Sequence, residues 1–357
     1  MTTLTRIVCT FGGAAMLAAS AAAQDGGPRR PESPMGIQRG DGAPQRKTGP
    51  LIPPLRGVGP LPAPWVHESF QRNVELGASA MVEISGAYGD IRVTGGDAGT
   101  VRIAAAKRVR EPNRDAARAL LQNVNVRITE RGGGVEVFTE LPEGKNPPIL
   151  VDYDITVPMA ASVTVRSLGG TMRVANIKGE VRAEAVAGHI LLTSVARVRH
   201  AKAFTGNLVI SGAEGDEVNA DTLGGTMQLR NVRARTVELR TVSGVMELND
   251  IDCERCTIAS VSGSIDFAST LRRNARYSIT TNSGGIRFAP DGTIGFDLEA
   301  RTGGALRSDY QLKQSSSPSP QVKGSVLQGT YGDGSAILSL RSFTGSITIV
   351  KPAVASR

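Results

Sequence analysis

Along the second half of this chain one short phrase returns at nearly constant spacing: a glycine, then a strand in which alternate residues are apolar. The copies are Gly170-Thr-Met-Arg-Val174, Gly188-His-Ile-Leu-Leu192, Gly206-Asn-Leu-Val-Ile210, Gly225-Thr-Met-Gln-Leu229, Gly244-Val-Met-Glu-Leu248 and Gly263-Ser-Ile-Asp-Phe267, with successive glycines 18, 18, 19, 19 and 19 residues apart. Gly284-Gly-Ile-Arg-Phe288 and Gly303-Gly-Ala-Leu306 continue the series, which reappears near the end as Gly345-Ser-Ile-Thr-Ile349. Each period has a second half, as in Val237-Glu-Leu239 or Thr257-Ile258-Ala259, so one repeat supplies two short strands.

Alternation puts Met227 and Leu229 on one face and Thr226, Gln228 and Arg230 on the other. A strand pair of this size cannot bury its apolar side alone; stacking the pair every 19 residues gives ladders of Val, Ile, Leu and Met along a continuous core. Glycine recurs where backbones approach too closely for a Cβ. The expectation is an all-β fold: a β-solenoid of about 19-residue, two-strand repeats, forming a rod about 40 Å long at about 4.8 Å per stacked strand. A β-sandwich also uses short strands and frequent turns, but it does not require one phrase at constant spacing.

The preceding segment reads differently. Met81–Ser85, Gly89–Val93 and Val101–Ile103 are strand-like, and residues 111–121 form one short helix with Ala116, Leu120 and Leu121 on a common side. A hairpin follows, Val124–Ile128 and Val135–Phe138 around Gly132-Gly133-Gly134. These elements suit an amino-terminal β-rich capping region. The expected organisation is a signal peptide at 1–23, a Pro/Gly-rich disordered linker at 24–64, the capping region at 65–158, repeats at 159–351 and a tail at 352–357, with Ser315–Pro320 as an inserted loop.

The first residues carry Arg6, an apolar run from Ile7 to Ala19 and Ala21-Ala22-Ala23, which predicts cleavage after Ala23 and an exported product, periplasmic or extracellular. The run is shorter than the roughly 20 apolar residues of a spanning helix, and Cys9 does not lie in a lipoprotein acceptor context. The net charge of +8 and pI of 9.7 raise the question of polyanions, yet Lys and Arg are interspersed with Glu and Asp and only 4% of residues are aromatic. No nucleic-acid partner is expected. An envelope glycan, a lipid headgroup or a protein is the expected partner class, with Arg230, Arg233, Arg235 and Arg240 as a candidate basic surface. Self-association through open strand edges is a further expectation.

No motif specifies catalysis, a cofactor or a metal site. His67, His189 and His200 are scattered, without partners at ligand spacing. Cys253-Glu-Arg-Cys256 admits a local disulfide, two packed thiols or a redox pair; aligning the Gly244 repeat on the Gly225 repeat sets Cys256 over Val237 and Cys253 over Ala234, core and turn positions. Asp216, Asp221, Glu238, Glu247, Asp250, Asp252 and Asp266 fall at varied repeat positions, which leaves a carbohydrate-active β-helix enzyme acting on an acidic glycan as the alternative to a non-catalytic binding or structural module.

The order of the phrases carries a resemblance. Val82-Glu-Ile-Ser-Gly-Ala-Tyr-Gly-Asp-Ile-Arg-Val-Thr-Gly95, Val101-Arg-Ile-Ala-Ala-Ala-Lys107, an Ala/Leu-rich helix, a strand pair, Val151-Asp-Tyr-Asp-Ile-Thr-Val-Pro158 and the serial Gly-x-apolar turns together resemble the putative-adhesin family of bacterial envelope β-solenoids, a domain family of unknown function. The resemblance covers about residues 66–351 and implies an extracytoplasmic, non-catalytic surface. It supplies no catalytic residues. The chain departs from the family pattern in its basic charge and at Leu168-Gly-Gly170, where Val-Ser-Gly is common.

Overall fold

The computed structural model describes residues 65–96, 99–141, 149–313 and 324–351. The expected signal peptide, linker, Ser315–Pro320 loop and tail lie outside them. Among the described residues the chain is nearly all β, with twenty strands and one helix.

In chain order the first strands are β1 (Trp65–Glu75), β2 (Met81–Tyr88), β3 (Ile91–Gly96) and β4 (Thr100–Arg110). Helix α1 (Arg114–Gln122) follows, then β5 (Asn125–Arg131), β6 (Gly134–Glu140) and β7 (Ile149–Pro158). β5 and β6 form the expected antiparallel hairpin, and Gly132 and Gly133 turn it with φ of 58° and 78°, the double left-handed geometry that a two-residue hairpin turn demands. The helix begins later than residue 111, because the Asn113 side chain accepts from the Asp115 and Ala116 amides and caps it. Leu121 is buried as expected, but its buried partner four residues earlier is Ala117, whereas Ala116 and Leu120 are half-buried.

β8 (Ser162–Thr205) runs for 44 residues through several corners, followed by β9 (Leu208–Ser211), β10 (Glu214–Gly224), β11 (Thr226–Thr241) and β12 (Val245–Ser260). β11 and β12 lie parallel along both halves of the repeat, Met227 beside Met246, Leu229 beside Leu248, Val237 beside Cys256 and Leu239 beside Ile258. All eight are fully buried. Between the halves the chain bends at Asn231 and Asp250, with φ of 52° and 54°; Asn176 and Ser194 occupy the same corner in β8, at 60° and 52°. Asn and Asp tolerate this left-handed region best among residues with a Cβ, which gives Asp250 a conformational role.

The glycines form a ladder of close approaches. A Cβ on Gly244 would sit inside contact distance of the Gly225 carbonyl oxygen, and one on Gly225 would meet Gly206 in the same way. Under this ladder runs a buried row of hydroxyls, Thr222, Thr241, Ser260, Thr281, Ser342 and Thr302. They bind what the glycine corner leaves unpaired: Ser260 Oγ accepts from the Gly263 amide at 2.7 Å, and Thr281 Oγ1 accepts from the Gly284 amide at 3.0 Å.

Chain order and spatial order part at both ends. β2 and β3 lie beside β8, with Met81 next to Ser162 and Ile91 next to Met172, so β4 to β7 and α1 intervene in sequence between spatial neighbours. The last strands are β13 (Ile265–Ser269), β14 (Arg276–Thr281), β15 (Ile286–Pro290), β16 (Phe296–Thr302), β17 (Leu306–Ser308), β18 (Ser325–Tyr331), β19 (Ala336–Ser342) and β20 (Ile347–Ile349). β19 lies parallel between β14 and β16, and β20 between β15 and β17. The Gly345 repeat therefore sits inside the stack, while β18 runs antiparallel along the outer side of β16. Phe296, Tyr310 and Tyr331 pack there, with ring centroids 4.8–5.3 Å apart.

Candidate binding surface

The four arginines singled out in the sequence are exposed on β11. Arg233 lies 3.9 Å from Glu214, Arg235 3.8 Å from Asp216, and Arg240 is ion-paired with Glu238. The first two pairs join adjacent strands in register and are individually weak because both partners are hydrated. The charge itself is unevenly spread along the chain: residues 1–64 hold seven of the 41 Lys and Arg and three of the 33 Asp and Glu, leaving 34 against 30 from Trp65 onward. The β-rich part is close to charge balance, and its cations are interleaved with acids.

The histidines are dispersed. His67 is exposed on β1, and His200 Nδ1 lies 3.8 Å from Asp221. His189 Nδ1 accepts from the Asn207 amide at 3.1 Å; Asn207 Oδ1 accepts in turn from the Thr226 amide at 3.1 Å, and Asp90 Oδ1 from the Thr171 amide at 2.8 Å. At Asp90, His189 and Asn207 the side chain after the turn glycine thus accepts from the backbone of the neighbouring rung, a structural duty.

The carboxylates are held in similar ways. Asp266 accepts from Arg287 at 2.8 Å, Glu247 from Gln228 at 2.8 Å, and Asp252 lies 3.6 Å from Arg272. Glu247, Asp266 and Arg287 line a hollow of about 420 Å³ over β12, β13 and β15. Among the described residues no cluster of three or more His, Cys, Asp or Glu could hold a metal ion.

Cys253 and Cys256 are fully buried, with sulfurs 2.01 Å apart and Cα atoms 6.1 Å apart. The observed register pairs Cys253 with Ala234 and Cys256 with Val237, as the glycine spacing indicates, and sets Cys256 beside Tyr277 on the next strand. The bridge closes the corner inside the core, away from any surface.

Two surface features were not singled out from the sequence. The first is a row of exposed apolar side chains on the edge just before the glycine ladder: Leu168, Leu223, Val242, Val261 and Phe343 are 38–75% exposed. Backbone bonds from Ser243 to Leu223, Ser262 to Val242 and Ser283 to Val261 hold the row in step. The Ser243, Ser262 and Ser283 hydroxyls donate to those same three carbonyls. The signal was present as an apolar residue two places before Gly170, Gly225, Gly244, Gly263 and Gly345, but alternation alone did not tell which side of the corner it would face. The second feature is an open trough of about 500 Å³ on β1, β4, β7 and β3, whose lining includes Ser69, Gln71, Ala104, Ala106, Asp152 and Asp154.

Among the described residues no helix is long and apolar enough to cross a membrane. No curated protein matches this sequence. Solved structures are similar at low identity. A "putative adhesin" from Bacteroides fragilis NCTC 9343 shares 13% identity over 79% of this chain and 97% of its own, with a TM-score of 0.41. A "putative adhesin" from Parabacteroides merdae ATCC 43184 shares 12% over 79% and 96%, with a TM-score of 0.39. A "putative lipid binding protein" from Parabacteroides distasonis ATCC 8503 shares 11% over 79% and 96%, with a TM-score of 0.35. Residues 152–349, more than half of the chain, match the Toastrack DUF4097 family. The chain therefore belongs to that domain family of unknown function, as the order of its strand phrases implied.

Proposed function

We propose that this chain is an exported, non-catalytic β-solenoid that serves as an envelope-associated binding module. The observation that carries the reading is the aligned row of Leu168, Leu223, Val242, Val261 and Phe343 along one edge. Apolar surface left in water is the mark of a contact site, and its recurrence on the successive rungs of Leu223, Val242 and Val261 favours an extended partner over a small ligand in a deep pocket. The 19-residue two-strand repeat supplies the rigidity, and the amino-terminal sequence supplies the export route. Amino-terminal sequencing of the secreted product should begin at Gln24.

The binding test is sedimentation of the purified mature chain with envelope fractions. A Leu223→Ser, Val242→Ser, Val261→Ser and Phe343→Ser variant should lose most of the bound fraction. Reversing Arg230, Arg233, Arg235 and Arg240 to Glu measures the basic-surface contribution. Undiminished sedimentation of both variants would sink the reading. A carbohydrate-active enzyme remains the second reading because Glu247 and Asp266 face one hollow; product release in a screen of acidic glycans would establish it in place of the binding module.

A further inference from the structure

We infer that the trough over Ala104 and Ala106 is a binding site for a neutral saccharide, an inference that rests on the binding-module reading and gives it a site. The trough arises where two methyl groups replace longer side chains on the outward face of a four-strand surface. One row across it reads Gln71, Ala104, Asp154, Arg92, and the next reads Ser69, Ala106, Asp152. The alternate residues of β4, Ile103 and Ala105, are buried beneath. Ala is depleted in strands because it fills the pleated surface poorly; here the space it leaves is an open volume of about 500 Å³, within the ~300–1,000 Å³ of small-molecule sites.

The walls decide the ligand class. Asp152 and Asp154 accept, Arg92 donates, and Ser69 and Gln71 can do both. The charges are already matched: Asp154 accepts from Arg92 at 3.4 Å, and Asp152 pairs with Arg108 at 2.5 Å while accepting from the Asp90 amide at 2.9 Å. A charged ligand would gain one set of walls and be repelled by the other. A neutral polyol suits both, since each hydroxyl donates and accepts, and the C–H face of a sugar ring can lie on the two alanine methyls. The surrounding strand surface fixes these groups.

Calorimetric titration of the full mature chain with short neutral oligosaccharides of the gluco-, manno- and chito-series is the test. At least one series should bind, and filling the trough with Ala104→Gln plus Ala106→Gln should weaken that binding about tenfold or more. Gln71→Ala, on an exposed position that leaves the core untouched, should weaken it in the same direction and guards against a filled variant that fails to fold. Binding unaltered in either folded variant, or no neutral series bound while polygalacturonate is, would overturn the inference. Sedimentation with envelope fractions reads the wider proposal separately: if it persists for the wild type while oligosaccharide binding is absent, the binding module stands and the saccharide site falls.

Discussion

The middle and the carboxy-terminal part of the stack use the same repeat and order it differently. Between β11, β12 and β13, spatial neighbours are 19 residues apart in the chain, Met227 beside Met246 beside Ile265. Past β13 the separation becomes 21 residues at Ile265–Ile286 and 61 at Ile286–Ile347, and the outermost Leu306 precedes its neighbour Ile347 by 41. Core residues, turn glycines and buried hydroxyls recur in both parts. What differs is only which strand edge is available when each segment arrives. A repeat therefore specifies what a rung is made of, and its place in the stack is a long-range decision.

The strongest way to break the comparison is to delete residues 324–357. This removes five buried apolar side chains of the inserted rung, Ala336, Leu338, Leu340, Ile347 and Ile349, and uncovers Tyr277, Ile279 and Phe288. At about 1.5–3 kcal/mol for each large side chain, the rungs on either side should lose cohesion. Hydrogen exchange should then rise across 276–308 and stay slow across 226–260. Unchanged protection at Ile279 would show that the rung is not internal.

Gly244→Ala should cost about 3 kcal/mol or more, because the residue has a φ of 128° and its Cβ would strike the Gly225 backbone. Gly77→Ala, where a Cβ meets nothing within 4 Å, should stay within about 0.5 kcal/mol. Equal losses in chemical denaturation would remove the glycine ladder as the reason for the repeat.

Burial pushes the Tyr153 hydroxyl from 10.0 up to about 12, opposed by its hydrogen bond with Thr139. Because the folded value is the higher one, this contribution to stability is complete below pH 10 and is lost as the pH rises toward 12. Its full size is about 3 kcal/mol. Tyr153→Phe should flatten the fall in stability over that window; an unchanged profile would place the alkaline sensitivity in the stack instead of the amino-terminal strands.

Opening the Cys253–Cys256 bridge should cost about 2 kcal/mol on the loop-entropy scale, given a closed loop of only four residues. Mass spectrometry of the exported chain with and without reductant reports whether the bridge forms, and free thiols throughout would refute it. The smallest effect belongs to Arg235→Ala, whose exposed pair with Asp216 should contribute under about 1 kcal/mol.

Much of this was legible along the chain because in-register stacking turns a local period into a contact list. The glycine spacing places Cys253 on Ala234 and Cys256 on Val237, and alternation marks Met227 and Leu229 as core. Of the expected helix face Leu121 is buried and Leu120 packs against the core, but Ala117 takes the place of Ala116, a one-residue difference that depends on the strands the helix packs on. The apolar row at Leu223, Val242 and Val261 was hidden because these residues sit at a corner, where strand alternation no longer tells inside from outside. The trough was hidden because it needs β1, β4, β7 and β3 side by side, and no one strand shows a gap.

By itself, then, the sequence determined the rung: its two apolar strands, its glycine corner and the partners that residues 18 or 19 apart would meet, because each of these follows from local periodicity and close backbone approach. Only the tertiary structure decided that β3 meets β8 across an intervening segment and that the Gly345 repeat slots between those of Gly284 and Gly303. Those pairings join strands of nearly identical pattern, and identical patterns leave the choice to how the whole chain closes its unpaired edges.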